Sequence, residues 1–338
     1  MTQKMMITVP MAGFGSRMRP HTWSKAKPLI ALAGKTVLDH CLAQFDSLPA
    51  SFAREYVFIV SPNQLEQVQA YTQAAYPHLT VHYVVQAEMR GQADALYLAR
   101  DLLQGPMLMS FSDTLIATDL AFLETETVDA LTWVKPVEDP RRFGVAQVDA
   151  DGWVTHLVEK PQDLANNRVL VGFYYFRSGA ALMRAIAEQM QRGISLKGEY
   201  FLADAVNVML EHGVRMRTRT TEVWLDAGIP SAVLETNRYL LEHGSANDAQ
   251  IEPRPGVAVI PPVYIHPSAQ ISSSVVGPHV SIGAGCHLHN VVIRNSILDE
   301  NTRMKDMLVA DSLLGRRVNA VGRAQALNLG DDAWLKTP

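Results

Sequence analysis

The sequence predicts an α/β domain, a parallel sheet covered by helices, followed by a second domain of stacked parallel coils. Three observations lead there. Short apolar runs alternate with helical patterns through the first 240 or so residues, as strand–helix–strand units require. Glycine, proline and small polar residues then interrupt every periodicity across 244–262. Beyond that break an apolar residue recurs every five or six positions. The 338 residues, 48% apolar and 19% charged, suffice for about two domains at roughly 150 residues each, and disorder is not expected.

The elements follow in order. Strands are expected at Met5–Pro10, Tyr56–Ser61, Val81–Val85 and Met107–Phe111, each an apolar run bounded by turn or polar residues. Thr36 can cap a helix whose apolar residues Val37, Leu38, Cys41, Leu42, Phe45 and Leu48 share one face. Gln64–Ala75 and Gln92–Leu103 also read as helices, Leu131–Tyr175 is strand-rich, and helices return at Ala180–Gln191, Tyr200–Glu211 and Ser231–Glu242. Past the break the apolar series is Ile265, Ile271, Val276, Ile282, Leu288, Ile293, Leu298, Met304, Val309 and Leu314. Every third step totals 16 or 17 residues, the signature of a three-sided coil with one inward aliphatic per side. This spacing matches the hexapeptide repeats of left-handed parallel β-helices, with three coils and part of a fourth between Tyr264 and Val321.

Charge and composition exclude several functions. A net charge of −4 supplies no global field for nucleic acid or an anionic membrane, and neither partner is expected. No apolar run approaches the roughly 18 residues that cross a bilayer. The N-terminal segment carries Arg17, Arg19, Lys25 and Lys27 where a signal peptide would be apolar. Cys41 and Cys286 lie far apart, so no disulfide framework is expected and a reducing, cytoplasmic setting is the default.

After the first strand comes Met11-Ala12-Gly13-Phe14-Gly15-Ser16-Arg17-Met18-Arg19-Pro20. Glycines there allow a tight turn and close approach of backbone N–H groups to a polyphosphate. A dinucleotide fingerprint would need glycine at Met18, and a Walker A motif ending in Gly34-Lys35-Thr36 would need glycine at Leu29. Charge makes the better case: no Asp or Glu precedes Asp39, whereas Lys4, Arg17, Arg19, Lys25, Lys27 and Lys35 do. An anion site and a solvated turn both remain open on these residues alone.

Gly13-Phe14-Gly15-Ser16-Arg17-Met18-Arg19-Pro20, then Thr22, Lys27-Pro28 and Gly34-Lys35, resemble the signature of the sugar-1-phosphate nucleotidyltransferases. That family includes glucose-1-phosphate thymidylyltransferases and mannose-1-phosphate guanylyltransferases. Phe14 and Ala26 depart from its usual residues, and both departures spare the charged groups. The matches continue in family order through Gln86, Gly91-Gln92-Ala93-Asp94-Ala95-Leu96, Phe111-Ser112-Asp113, Phe143-Gly144-Val145 and Val158-Glu159-Lys160-Pro161. Val171-Gly172, Gly198-Glu199-Tyr200 with Asp204, and Trp224-Leu225-Asp226-Ala227-Gly228 complete the series.

The resemblance implies a Rossmann-like nucleotidyltransferase domain over 1–243, a linker over 244–262, a left-handed β-helix over 263–324 and a tail over 325–338. It implies transfer of a nucleotidyl group from an NTP to a sugar 1-phosphate, releasing pyrophosphate, with dTTP and glucose 1-phosphate as the expected pair. The alternatives are mannose-1-phosphate guanylyl transfer, or a non-catalytic regulatory paralogue. Ala12, Gly13, Gly15, Arg17, Lys27, Gln86 and Gly91 would bind the nucleotide; Gly144, Glu159, Lys160 and Gly172 would bind the sugar phosphate. Arg17, Lys27, Asp113 and Lys160 would carry catalysis, and Asp113 with Asp226 would hold Mg²⁺.

Bland readings stand beside several of these. Asp113 ends an apolar run where a turn-capping aspartate is common, and Asp226 could serve a turn equally well. Glu159-Lys160-Pro161 reads unaided as a charged strand end stopped by proline. Cys286-His287-Leu288-His289 lacks a second Cys/His pair for zinc, and Cys41 sits on an apolar helix face. An acyltransferase centre in the coils would need a long inserted loop or an extension that three to four coils do not supply. The flat outer faces of the coils suit a homo-oligomer.

Overall fold

The computed structural model describes residues 3–323, so the expected tail and the last residue of the expected β-helix lie outside the described residues. The chain divides into two compact units, the first comprising residues up to Ile30 and Lys35–Thr236, the second Ala31–Gly34 and the chain from Asn237 onward.

The first unit begins with β1 (Gln3–Pro10), whose Met5, Ile7 and Val9 are fully buried. The chain then runs through β2 (Ala31–Leu32, counted with the second unit) and β3 (Lys35–Thr36) into α1 (Val37–Ala43). Thr36 caps α1 as expected: its side chain accepts from the Asp39 N–H, and the Asp39 carboxylate accepts from the Thr36 N–H in return. Next come β4 (Phe52–Val60), α2 (Leu65–Ala75), β5 (Val81–Val85), α3 (Gln92–Leu98), β6 (Met107–Ser110) and β7 (Thr114–Ile116). The α3 pattern was expected to run to Leu103, but the residues after Leu98 turn away in short loops. The strand-rich stretch resolves into β8 (Ala130–Pro136), β9 (Gly144–Val148), β10 (Val154–Glu159) and β11 (Arg168–Phe176). α4 (Gly179–Gln191), α5 (Leu202–Glu211), β12 (Met216–Thr220), β13 (Trp224–Asp226) and α6 (Pro230–Leu240) follow.

Nine strands form one sheet, in the order β10-β9-β11-β6-β1-β4-β5, with β8 beside β11 and β12 beside β8. Strands β6, β1, β4 and β5 are parallel, as the alternating pattern requires. The remainder is mixed, because β8 to β11 follow one another without a crossover helix and pair antiparallel around β11. The carboxyl ends of β1 and β6, neighbours in the sheet, lead into the glycine loop and Asp113 respectively. Open α/β sheets bind their ligands at such an edge.

The second unit is a stack of parallel coils. One side is β15 (Val263–Ile265), β18 (Val280–Ile282), β20 (Ser296–Leu298) and β22 (Leu313–Leu314). A second is β16 (Gln270–Ser272), the start of β19 (His287–Arg294), the start of β21 (Arg303–Ala310) and β23 (Asn319–Val321). The third is β14 (Val257–Val259), β17 (Ser274–Val276) and the far halves of β19 and β21. The expected aliphatic row faces inward, with Val276, Ile282, Ile293 and Leu298 fully buried. The segment expected as a plain linker contributes β14, and Asn247 exchanges side-chain hydrogen bonds with the Ile265 backbone. Residues 31–34 join this unit through the Ala33 N–H, which donates to Asn237 Oδ1 at 3.0 Å, and through Gly34. A Cβ on Gly34 would lie 2.4 Å from the Tyr264 ring, so this signature glycine serves packing. Cys286 is buried in the coil core, and no cluster of three or more metal-ligating side chains occurs among the described residues.

Because the inward row is continuous, Ile293→Ala should cost about 2–5 kcal/mol, the usual result of emptying a packed aliphatic site. Urea unfolding of the full chain checks this. An unchanged midpoint would mean that the coils do not share one core.

Candidate active site

The glycine loop is pinned from below and open above. Met18 is fully buried and its N–H donates to the Gly15 carbonyl, which also accepts from Thr22 Oγ1 at 2.8 Å. Gln64 donates to the Gly13 carbonyl at 3.0 Å, and Ala12 is buried. Gly15 has φ +59°, and a Cβ there would press on Thr22 and on the Lys27 stem. With the carbonyls held down, the N–H groups of Gly13, Phe14, Gly15 and Ser16 donate to no acceptor among the described residues. Open space lies where a Gly13 side chain would stand. Such a fan of free N–H groups is an anion cradle. Arg17 projects from it into solvent.

Lys27, whose stem packs against Gly15, is only 12% exposed, and its Nζ pairs with Asp113 Oδ2. Asp113 lies just ahead of β7, and β7 pairs antiparallel with β13, so that Asp226 faces Thr114. The Ala227 N–H donates to the Asp113 carbonyl at 2.9 Å. Backbone pairing thus sets the two aspartates side by side. Asp226 is solvent-accessible by surface area, yet the chain packed around it costs its charged form solvation. That desolvation, with the Asp113 charge next, raises its pKa; the Gly228 N–H, Lys27 and Arg17 oppose the rise. Four expected site residues therefore share one electrostatic neighbourhood. Two adjacent carboxylates beside an anion cradle fit Mg²⁺, which uses one or two protein carboxylates and takes its other ligands from water and phosphates.

The other expected residues gather around three glycines. Gly144 faces Glu159 across β9 and β10, where a Cβ would stand 3.0 Å from Glu159 Oε2 and 2.9 Å from Leu170. Gly172 has φ +84°, and a Cβ there would fall 2.3 Å from the Phe111 ring. At Gly91, with φ +103°, a Cβ would collide with the Tyr200 backbone at 2.4 Å. The Tyr200 N–H donates to the Arg90 carbonyl and its own carbonyl accepts from Ala93, so the loop before α3 is laced to the entry of α5. Gln86 is buried, and its amide nitrogen is spent on the Gly91 carbonyl and Asp94. It braces this loop from beneath.

Lys160 is exposed, with its N–H on the Phe143 carbonyl and its ammonium 5.6 Å from the Phe201 ring centroid. Burial raises the Glu159 pKa; Lys160 lowers it and Asp204 adds to the rise. Phe143 stacks edge-on against Trp224 at 5.0 Å, joining the Lys160 segment to the strand that carries Asp226. The supports that sequence reasoning missed are Gln64, Phe111, Phe201 and the Phe143–Trp224 contact. Each acts across long sequence separations, and no local pattern marks it.

Residues 9–243 match the family model described as Nucleotidyl transferase. The chain is 30% identical over 357 residues to the low-salt glycan biosynthesis nucleotidyltransferase Agl11 of Haloferax volcanii, covering 96% of this chain and 98% of that protein. It is 28% identical over 354 residues to a glucose-1-phosphate thymidylyltransferase of Streptomyces antibioticus, covering 96% and 97%. A solved Bacillus anthracis structure, described as a glucose-1-phosphate thymidylyltransferase in complex with a sucrose, superposes with a TM-score of 0.60. It is 22% identical and covers 70% of this chain and 94% of that one, a likeness of fold. The chain belongs to the nucleotidyl transferase family. Among the described residues no helix is long and apolar enough to cross a membrane.

Gly172→Ala combines positive-φ strain, about 1–3 kcal/mol by itself, with the clash on Phe111. The melting temperature should fall by at least about 3 °C. An unchanged melting curve would show that Phe111 is not seated on this glycine.

Proposed function

We propose that this enzyme transfers a nucleotidyl group from an NTP to a sugar 1-phosphate, with dTTP and glucose 1-phosphate as its pair, releasing pyrophosphate. The observation that carries the reading is the convergence of the free N–H fan, Arg17, Lys27, Asp113 and Asp226 at one sheet edge. The substrate pair is supported by the activity named for the Streptomyces relative. The left-handed winding of the coils rests on the hexapeptide spacing, and assembly into a homo-oligomer on their flat outer faces.

A non-bridging phosphate oxygen of the sugar 1-phosphate attacks the α-phosphorus in line, forming the new P–O–P linkage as the bond to pyrophosphate breaks and pyrophosphate leaves. That oxygen is already anionic near neutral pH, so no general base is required, and catalysis reduces to positioning and charge. The N–H groups of Gly13 to Ser16 hold the departing phosphates, while Arg17 and Lys27 balance the charge that grows on them. Lys160 offers its ammonium to the acceptor phosphate as a point charge, and Glu159, held over Gly144, accepts from sugar hydroxyls. Gly91 and Gly172 keep the chain thin where nucleotide and sugar lie. Asp113 and Asp226 would hold Mg²⁺, which supplies charge neutralisation at the phosphates.

Pyrophosphate release over a matrix of NTPs and sugar 1-phosphates tests the reading. Dependence on both substrates, highest for dTTP with glucose 1-phosphate, is expected. Preference for GTP with mannose 1-phosphate would replace the pair, and no release from any combination by folded protein would overturn the enzyme.

Two predictions concern single residues. Asp226→Asn should lower kcat by roughly 10²-fold or more, the scale of lost electrostatic stabilisation. Its thermal stability should hold or rise, because the change relieves repulsion from Asp113; near-normal turnover would defeat the assignment. Arg17→Ala should chiefly impair use of the NTP, whereas Lys160→Ala should chiefly raise KM for the sugar phosphate. Equal effects of both variants on both substrates would show the two phosphate sites to be misassigned.

A further inference from the structure

Gln86 has one polar atom that the fold leaves unused. The residue directly follows β5, and its N–H donates to the Val60 carbonyl at 2.9 Å, which ties it to the end of β4. Strands β1, β4, β5 and β6 run parallel, so Gln86 stands at the same carboxyl edge as the glycine loop and Asp113. Its amide nitrogen donates to the Gly91 carbonyl at 3.2 Å and to Asp94 Oδ2 at 3.1 Å. Both partners are acceptors, and a carboxylate offers no hydrogen in return. Turning the amide over would lose both bonds and set oxygen against oxygen, leaving buried groups unpaired. The side chain has one orientation only.

The other end of that amide, Oε1, accepts from no group among the described residues, yet solvent reaches it. Gln64, the other glutamine that holds a loop carbonyl here, has its own Oε1 sealed from water and unpartnered. Of the two, only Gln86 presents an acceptor to a ligand. Asp94, the third residue of α3, is 8% exposed, and its second oxygen lies 3.9 Å from Arg90 Nε. The Arg90 guanidinium sits over Tyr200, 5.6 Å from the ring centroid, and Tyr200 is laced to this loop by its backbone. Asp94 is thus held through the oxygen that Gln86 does not use.

We propose that Asp94 is a positioning residue for base selection: by holding the Gln86 amide nitrogen it leaves only an acceptor, Oε1, to face the nucleotide base. This rests on the reading given above, in which Gln86 and Gly91 bind the NTP, and goes beyond it by assigning Asp94 and the direction of the hydrogen bond. An acceptor fixed in this way pairs with a ring N–H. Thymine and uracil carry one at N3, and guanine carries one at N1. Cytosine and adenine present a bare lone pair at the matching positions, so oxygen would meet nitrogen with no hydrogen between them. A polar group that the wrong ligand leaves unpaired discriminates far more strongly than pocket shape does between rings of one size. In this role Asp94 acts through Gln86 and touches no substrate itself.

The test compares kcat/KM for dTTP and dCTP in the full chain, with glucose 1-phosphate as acceptor. The unmodified enzyme should prefer dTTP by about 10²-fold or more. D94L removes the acceptor that holds the amide nitrogen, so the amide can turn over and donate to cytosine N3. The dTTP/dCTP ratio should then fall by at least about tenfold, mostly through KM. D94N keeps an acceptor oxygen and should retain the ratio. D94A carries the same expectation as D94L and serves if that variant does not fold, with circular dichroism as the check. Calorimetric binding of the two nucleotides reads the ratio without turnover. Should GTP prove the substrate, the pair compared is GTP and ATP, which differ in the same way. An Asp94 that merely supports the loop would lower use of both nucleotides alike; an unchanged ratio in D94L and D94A would overturn the proposal, as would an unmodified enzyme that favours dCTP or ATP. Folded protein that neither binds nor transfers any nucleotide would overturn the nucleotidyl-transfer reading itself, and this proposal with it.

Discussion

Everything at the candidate site depends on the short antiparallel pairing of β7 with β13. It brings Asp226 beside Asp113 although more than a hundred residues separate them in the chain. The backbone bond from Ala227 to the Asp113 carbonyl fixes that approach irrespective of what the carboxylates prefer. Left alone, two such groups repel; burial is the larger cause of the raised Asp226 pKa, and the Asp113 charge adds to it. Lys27 answers part of it through Asp113. A site that holds like charges together by its scaffold is prepared for a cation and for the polyphosphate that comes with one.

Around this centre the scaffold achieves closeness by omitting side chains. Gly91 lies on the Tyr200 backbone, Gly172 on the Phe111 ring and Gly144 beneath the Glu159 carboxylate. Gly91 and Gly172 each bring together segments distant in sequence, whereas Gly144 and Glu159 face each other across the neighbouring strands β9 and β10. The Phe143–Trp224 contact links the Lys160 segment to the strand that carries Asp226.

Much of this was legible in the sequence, for identifiable reasons. The parallel strands announced themselves because burial on both faces makes continuous apolar runs, and Thr36 because a capping box is a local pattern. The coil row was legible because its period is fixed by the three-sided geometry. The antiparallel order around β11 was not, since strand pairing is decided by partners far along the chain. Nor was the part of Gln86, whose amide braces the Gly91 loop, or that of Gly34, which packs on Tyr264. The charged residues of the expected site could be picked out by type and order. The groups that hold them in place, such as Gln64 and Phe201, have no signature beyond their contacts.

The central claim is that Asp113 and Asp226 act as one unit on one cation, and a double-mutant cycle on kcat addresses it directly. If they act together, Asp113→Asn, Asp226→Asn and the double variant should all lose about the same factor, because removing either carboxylate already disables the pair. If the losses multiply in the double variant, the two residues act independently, and the shared centre described for this protein is contradicted.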